Sequence, residues 1–266
     1  MMRLNKFIAH YTTYSRREAD RAIQDGLVKI DNEEETNPAT QVDDYATTVS
    51  ISGKRITPTD QYTVIVYNKA KGELVTKNDP KGRTTIYDTL DNKYKHFIAV
   101  GRLDYASEGV LLLTDASRIA NILMNSSLER VYKVKIKGSI TDAMEEAMRK
   151  GLILDDASAG AHALSNITSM EFAPFYGYNI IKNNPNYSIL KVSVGEGKNR
   201  ELRRFFAHFG TDVADLKRLN YGGVELNNLP TGKSRFLSRK EYNDLRQFMK
   251  DEKQREKERE NNNDNE

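Results

Sequence analysis

The sequence predicts an α+β fold with two domains and a charged C-terminal tail. Helix and strand patterns follow one another along the chain without the regular spacing of a doubly wound sheet. The pattern changes after residues 53–60, which we interpret as a linker, so we place a small domain at residues 1–60 and a larger one at residues 61–249. Residues 250–266 contain no apolar side chain to bury, and we expect them to be disordered or a frayed helix.

The composition favours a soluble protein that binds phosphate groups. Of the 266 residues, 38% are hydrophobic and 30% are charged, which allows both a buried core and a solvated surface. No stretch approaches the roughly 20 apolar residues of a membrane span, and we expect a cytoplasmic protein. The net charge is +3, and it becomes +5 without the tail, which carries five basic and seven acidic side chains. The clustering of basic residues matters more for phosphate binding than this total.

Metal and disulfide chemistry are not indicated. The chain has no cysteine, which excludes disulfides and cysteine-based metal sites. Its four histidines show no metal-ligand spacing. We therefore expect no metal site.

The N-terminal domain carries two amphipathic helices with basic side chains outside their apolar stripes. Leu4, Phe7 and Ile8 lie at helical spacing, and Ser15 with Glu18 matches a capping box for the second helix. Cations at the start of a helix oppose its dipole, so local stability does not explain them. A solvated surface is the alternative, but we favour RNA phosphates as the ligand. The expected RNA contacts are Arg3, Lys6, Arg16, Arg17 and Arg21.

The larger domain has one particularly clear strand and one carboxylate in an unexpected place. In Arg130–Lys137, apolar side chains alternate with lysines, which predicts a strand with one buried face. Residues 101–116, with the sequence GRLDYASEGVLLLTDA, put Asp104 at the mouth of a buried apolar strand. A lone Asp here would be interpreted as a turn residue. The neighbouring Arg102 and the flanking glycines indicate a functional loop instead.

The N-terminal segment RLNKFIAHYTTYSRREADRAIQDGLVKID resembles the S4 RNA-binding domain, a helix–turn–helix–strand module. The stretch around Asp104 resembles the GRLD-x-x-T/S-x-G-L-L-L-L-T-N/D motif of the RsuA-type pseudouridine synthases, which modify ribosomal RNA. Three further stretches resemble other motifs of that family, in the family's order, between residues 62 and about 248. They are YNKAKGELVTKNDPKG, ERVYKVKIKG and EGKNRELRRFFAHFGTDVADLKRLNYG.

The resemblance implies a catalytic domain built on a mixed, mainly antiparallel sheet with flanking helices, and conversion of a uridine to pseudouridine without a cofactor. NRELRR and RLNYGG are closest to the large-subunit, RluB-type members, which favours 23S over 16S RNA. The implied partner is a structured stem-loop in a ribosomal subunit precursor, bound by a monomer. The alternatives are a non-catalytic S4-containing ribosome-assembly protein and an RNA N-glycosidase that releases uracil.

The resemblance also assigns roles to individual residues. It makes Asp104 the nucleophile or base, Tyr132 the ring on which an extruded uracil stacks, and Arg203 the cation that keeps the carboxylate ionised. Tyr132 could equally be a core aromatic. Arg102 is also expected to contact the substrate, where it suits a phosphate or the gap left by the displaced base. Leu202 is expected to line the pocket, or else to belong to the core. The remaining expected substrate contacts are Lys198, Arg200, Arg204, Lys69 and Lys71.

Three positions depart from the family's motifs. Ala70 replaces a proline in the first motif, and Ser107 stands where threonine is commoner. Lys198 replaces an arginine, which keeps the charge but loses bidentate geometry for phosphate. None of these changes removes the aspartate, the tyrosine or the pairing arginine.

Overall fold

A computed structural model describes residues 1–43, 46–59, 61–162 and 165–263 of the chain. The chain forms two compact units. The first comprises Met1–Thr63 with the short segments His96–Ile98 and Thr114–Ala120, and the second comprises Val64–Lys95, Ala99–Leu113 and Asn121–Glu266.

The N-terminal part of the first unit has two helices and short strands around a small apolar core. The predicted capping box is present: the Ser15 N–H donates to Glu18 Oε2 at 2.7 Å, and the Glu18 N–H donates to Ser15 Oγ at 3.3 Å. Leu4, Phe7 and Ile23 are fully buried where the two helices pack together. The elements are β1 Met2–Arg3, α1 Leu4–Tyr11, α2 Arg16–Gln24, β2 Val28–Ile30, β3 Glu33–Glu34, β4 Gln41–Val42, β5 Val49–Ile51 and β6 Lys54–Arg55.

The expected linker at residues 53–60 is partly wrong. β6 pairs with β5, and Ile56 is buried in the apolar core. Ser52 and Gly53 both have positive φ, +47° and +78°, which is the backbone of a two-residue type I′ hairpin turn. The Ser-Gly pair therefore closes a hairpin instead of beginning a linker. Asp60, the last residue of the expected linker, lies outside the described residues.

The second unit is built on a nine-stranded mixed sheet, mainly antiparallel, as expected. The strands of this part of the chain are β7 Val64–Lys69, β8 Ile98–Ala99, β9 Ser107–Thr114, β10 Arg130–Lys137, β11 Leu152–Leu154, β12 Met170–Phe172, β13 Gly177–Lys182, β14 Tyr187–Val194, β15 Val213–Tyr221, β16 Val224–Glu225 and β17 Ser234–Phe236. The order in the sheet is β13-β14-β10-β15-β9-β7-β17, with β16 beside β15 and β8 beside β9. β15 and β9 run parallel. The two other strands, β11 and β12, pair with each other.

The α-helices that follow β7 in the chain are α3 Ile86–Thr89, α4 Ser117–Met124, α5 Asp142–Lys150, α6 Glu201–His208 and α7 Arg239–Asn263. The tail was expected to be disordered or a frayed helix, and it continues α7 as far as Asn263. Side-chain pairs one helical turn apart support this helix, among them Gln247 with Asp251 at 2.8 Å and Arg255 with Glu252 at 2.6 Å. Among the described helices, none is both long and apolar enough to cross a membrane.

Candidate active site

The carboxylate of Asp104 lies between two guanidinium groups. Arg203 Nε donates to Asp104 Oδ2 at 3.1 Å, and Arg200 Nη1 lies 3.1 Å from the same oxygen. The Asp104 side chain is 29% exposed, whereas that of Arg203 is 11% exposed. The charge is therefore neutralised from the protein side while part of the carboxylate stays open to a ligand.

The first turn of α6 presents both arginines. Arg200, the residue before the helix, has a left-handed backbone with φ +51°, and Arg203 follows one turn later. Arg203 is fixed further by Ser107 Oγ at 3.2 Å and by the Val213 carbonyl at 3.1 Å. Burial lowers the pKa of Arg203, and the neighbouring Asp104 opposes that shift. Ser107 follows Asp104 closely in the chain, so one guanidinium holds both ends of the loop.

Lys69 also holds the loop that carries Asp104. It was expected to contact a phosphate, but the structure buries it. It is fully buried, and its Nζ donates to the carbonyls of Ala70, Asp104 and Ser107 at 2.8, 3.1 and 2.8 Å. Burial lowers its pKa to about 8, against the attraction of Glu73 and other acids. The ammonium replaces missing backbone partners in the loop, so Lys69 positions Asp104 and does not touch RNA.

Replacing Lys69 by methionine should destabilise the fold. The change leaves three carbonyls without their donor, and we expect a loss of about 3 kcal/mol or more in the free energy of unfolding. Lys71→Met is the matched control, because its 2.7 Å ion pair with Asp215 is about half exposed and should contribute less than about 1 kcal/mol. Urea unfolding of both variants measures the difference, and equal stabilities would contradict this role.

Arg204 is likewise a structural residue, which corrects its expected phosphate role. It is fully buried, and its guanidinium donates to the Ala157 carbonyl, to the Ile167 carbonyl at 3.4 Å and to Ser165 Oγ at 2.7 Å. These contacts hold the loop before β12 against α6. Arg200 also differs from the expectation: besides facing Asp104, its Nε donates to the Gly160 carbonyl of the same loop at 2.8 Å.

The remaining expected substrate contacts fall into two groups. Arg102 is exposed beside Asp104, and Lys71 and Lys198 are partly exposed and ion-paired, Lys198 with Glu196 at 2.7 Å. Leu202, in contrast, is 4% exposed and packs in the core, which is the alternative that the sequence left open for it. Arg102, Lys71 and Lys198 are therefore accessible to an anionic ligand.

Tyr132 is placed by the strand register. It lies opposite Arg218 on β15, and Leu216, two residues earlier on β15, lies opposite Ser107 on β9. Paired and alternate residues share a face of a sheet, so Tyr132 lies on the face that carries Ser107. Its side chain is 8% exposed.

A cavity of about 280 Å³ adjoins the two arginines. Arg200, Arg203 and Ala207 line it from α6, and Gly160 lines it from the loop that Arg204 holds. A Cβ at Gly160, where φ is +71°, would collide with the Arg203 carbonyl, so this close approach requires glycine. Lys137, Asp212, Val213 and Ala214 complete the lining.

Two family models match this chain. The S4 domain model matches residues 2–44, and the RNA pseudouridylate synthase model matches residues 63–208, more than half of the chain. The chain belongs to the RNA pseudouridine synthase family. The expected N-terminal S4 domain is confirmed by the same comparison.

Relatives of the synthase agree with this placement. It is 53% identical over 250 residues to an uncharacterized RNA pseudouridine synthase of Helicobacter pylori strain J99, covering 93% of this chain and 95% of the relative. It is 32% identical to the ribosomal large subunit pseudouridine synthase B of Xanthomonas campestris pv. campestris, over 93% of this chain and 50% of that protein. A crystal structure of a pseudouridylate synthase shares the fold, with a TM-score of 0.60 and 23% identity over 92% of this chain and all of that one.

Within the first unit of the synthase, the basic residues expected to bind RNA are all exposed. The Arg21 Nε donates to the Arg17 carbonyl at 3.3 Å, one helical turn earlier. The apolar side of α2 faces the core instead, with Ala19 and Ile23 fully buried. The basic groups of this unit are therefore accessible, as an RNA contact requires.

One buried acid of the synthase, Glu201, was not predicted from the sequence. Glu201 begins α6 and is 8% exposed, and burial, reinforced by the negative charge of Glu196, raises its pKa to about 7. An acid in the first turn of a helix usually indicates a dipole contact at the surface. Here the carboxyl group is instead enclosed one residue away from Arg200.

Glu201→Gln should stabilise the synthase at alkaline pH. The folded-state pKa lies above the ordinary value of 4.5, so wild-type stability falls as pH rises from about 4.5 to about 7 and stays lower above that. The neutral amide avoids this cost, and we expect a gain of about 1–3 kcal/mol at pH 8 that vanishes near pH 4.5. Urea unfolding at both pH values measures it, with the exposed Glu171→Gln as control. A gain independent of pH would contradict the assignment.

Proposed function

We propose that the synthase converts a specific uridine of 23S ribosomal RNA to pseudouridine, with Asp104 as the nucleophile. The observation that supports this most directly is the partly exposed carboxylate of Asp104, which lies between Arg203 and Arg200. The likeness to a ribosomal large subunit synthase supports the choice of RNA. We further propose that the protein acts in the cytoplasm, as a monomer, on a stem-loop of a ribosomal precursor.

The reaction requires that the target uracil is extruded from the stacked RNA and that a charged nucleophile is close to it. The bond between uracil N1 and ribose C1′ breaks, and a bond between C5 and C1′ forms. N1 gains a proton and C5 loses one, so the atoms balance without an oxidant or a second substrate. An extruded uracil needs a flat surface, and Tyr132 would supply it, since stacking contributes roughly 1–3 kcal/mol per base.

Other side chains of the synthase would position Asp104 and bind the RNA. The two guanidinium groups hold Asp104 Oδ2 in place through charge-assisted contacts of 3.1 Å and leave part of the carboxylate open to the uridine. Lys69 and Ser107 fix the loop on which the carboxylate sits. The exposed Arg102 would contact a phosphate or fill the gap left by the displaced base, and the basic residues of the S4 domain would hold the surrounding RNA.

Mapping pseudouridines in 23S and 16S RNA, from cells with and without this protein, tests the proposal. We expect one 23S position to lose its pseudouridine in the deletion strain and to regain it when the gene is restored. Loss at a 16S position would correct the RNA, and an unchanged map would overturn the proposed activity. Release of free uracil from a transcript by the purified protein would favour an N-glycosidase instead.

A further inference from the structure

One face of the sheet carries a cluster of lysines outside the active site. It is the face opposite Tyr132, and it spans β13, β14, β10 and β15. We call it the lysine face and define it by Lys133, Lys135, Lys182, Lys191 and Lys217.

The strand register brings three of these lysines into one row. Lys133 on β10 lies directly opposite Lys191 on β14 and directly opposite Lys217 on β15. Neighbouring strands are about 4.8 Å apart, so the row spans about 10 Å. It ends at Glu108 on β9, the residue opposite Lys217, four positions after Asp104. The row therefore reaches the strand that carries the active-site loop.

This arrangement is not explained by the stability of the sheet. Like charges directly opposite each other destabilise paired strands. Lys217 has an acid partner, Glu108, at 3.6 Å. Across the described ranges, Lys133 and Lys191 form no ion pair within 4 Å, and both are exposed.

The other lysines of the face keep their charge uncompensated as well. The ammonium groups of Lys135 and Lys182 lie 4.3 and 4.4 Å from the ring centre of Tyr187. A tyrosine ring attracts a cation without neutralising it. Asp215, an acid on the same face, is paired with Lys71. The result is a flat surface with an excess of positive charge.

We propose that the lysine face binds the phosphodiester backbone of the RNA substrate beyond the target nucleotide. The inference rests on the proposed function for the identity of the ligand. A row of cations on a flat sheet recognises a chain of phosphates by charge and carries no base specificity. The face would thus add affinity for RNA that enters the site over β9 and leave the chemistry at Asp104 unchanged.

The test compares two double variants of the full-length protein that remove the same charge. Lys133→Gln with Lys191→Gln removes two unpaired lysines of the face. Lys150→Gln with Lys240→Gln removes two exposed lysines that pair with Glu146 and Asp244, each at 2.7 Å. Binding of an unmodified 23S transcript is measured between 50 and 200 mM salt, and pseudouridine formation is measured at saturating RNA.

Each lost phosphate contact lowers the slope of log affinity against log salt by about 0.7–0.9. The face variant should therefore lose about 1.4–1.8 from the slope, and its affinity deficit relative to wild type should shrink roughly tenfold from 50 to 200 mM salt. Its turnover at saturating RNA should equal that of wild type, and its melting temperature should be equal or higher because repulsion has been removed.

An unchanged slope in the face variant, or an equal loss in the control variant, would overturn the proposal. A face variant with wild-type RNA affinity that no longer associates with a ribosomal protein would overturn it in favour of a protein partner. If wild type forms no pseudouridine while the face variant alone loses salt-dependent RNA affinity, the proposed activity fails and the RNA contact stands.

Discussion

Asp104→Asn should abolish pseudouridine formation while leaving RNA binding intact. The amide keeps the size of the carboxylate and can still accept a hydrogen bond from Arg203, but it lacks the charge that a nucleophile needs. Loss of a catalytic nucleophile costs about 10⁴-fold or more in turnover. RNA affinity should stay within about threefold, because the basic surfaces are untouched.

Release of tritium from RNA labelled at uracil C5 measures this effect, since C5 loses its hydrogen in the reaction. Asp215→Asn is the control, because it removes a neighbouring carboxylate whose ion pair with Lys71 is about half exposed. The control should retain nearly full turnover. Activity of Asp104→Asn at the level of the control would refute the nucleophile assignment and leave a binding role for the loop.

Arg203→Met should cause the next largest loss, about 100-fold or more in turnover. The side chain joins Asp104, Ser107 and the Val213 carbonyl, so its removal frees the loop and takes away one of two counter-charges. Misplacement of a reacting group by about 1 Å can cost about 100-fold. Arg200→Met should cost less, about tenfold, because Arg200 is more exposed and its Nε holds the Gly160 carbonyl, whereas Arg203 also holds Ser107 beside Asp104.

Rescue by a conservative variant separates this role from a general loss of stability. Arg203→Lys keeps a positive charge near Asp104, so it should recover part of the turnover that Arg203→Met loses. The exposed Arg149→Met is the control and should keep nearly full turnover. Equal turnover in Arg203→Lys and Arg203→Met would contradict the counter-charge role and make Arg203 a structural residue only.

Local patterns in the sequence predicted much of the fold. The alternation in β10 gives its bounds as observed, Arg130–Lys137, and helical spacing with a capping box locates α1 and α2. These patterns depend on residues that are close together in the sequence, so they can be recognised without knowledge of the tertiary structure. The strands β13 and β15 were not predicted, because their polar and apolar residues follow no clean alternation.

The cations at the site were harder to assign. The family motif led to Arg203 beside Asp104, but Lys69 and Arg204 were expected at the surface because lysine and arginine usually lie there. Both are fully buried. Their burial depends on backbone carbonyls supplied by distant loops, and a sequence does not show which carbonyls lack partners.

The loop that carries Asp104 is held by contacts with residues that are distant in the sequence. The bond from Lys69 to the Asp104 carbonyl spans 35 residues, and that from Arg203 to the Asp104 carboxylate spans 99. We expect contacts between such distant points to form after the local helices and hairpins. A partly folded chain would then carry Asp104 on an untethered loop, and the proposed activity would require the completed sheet.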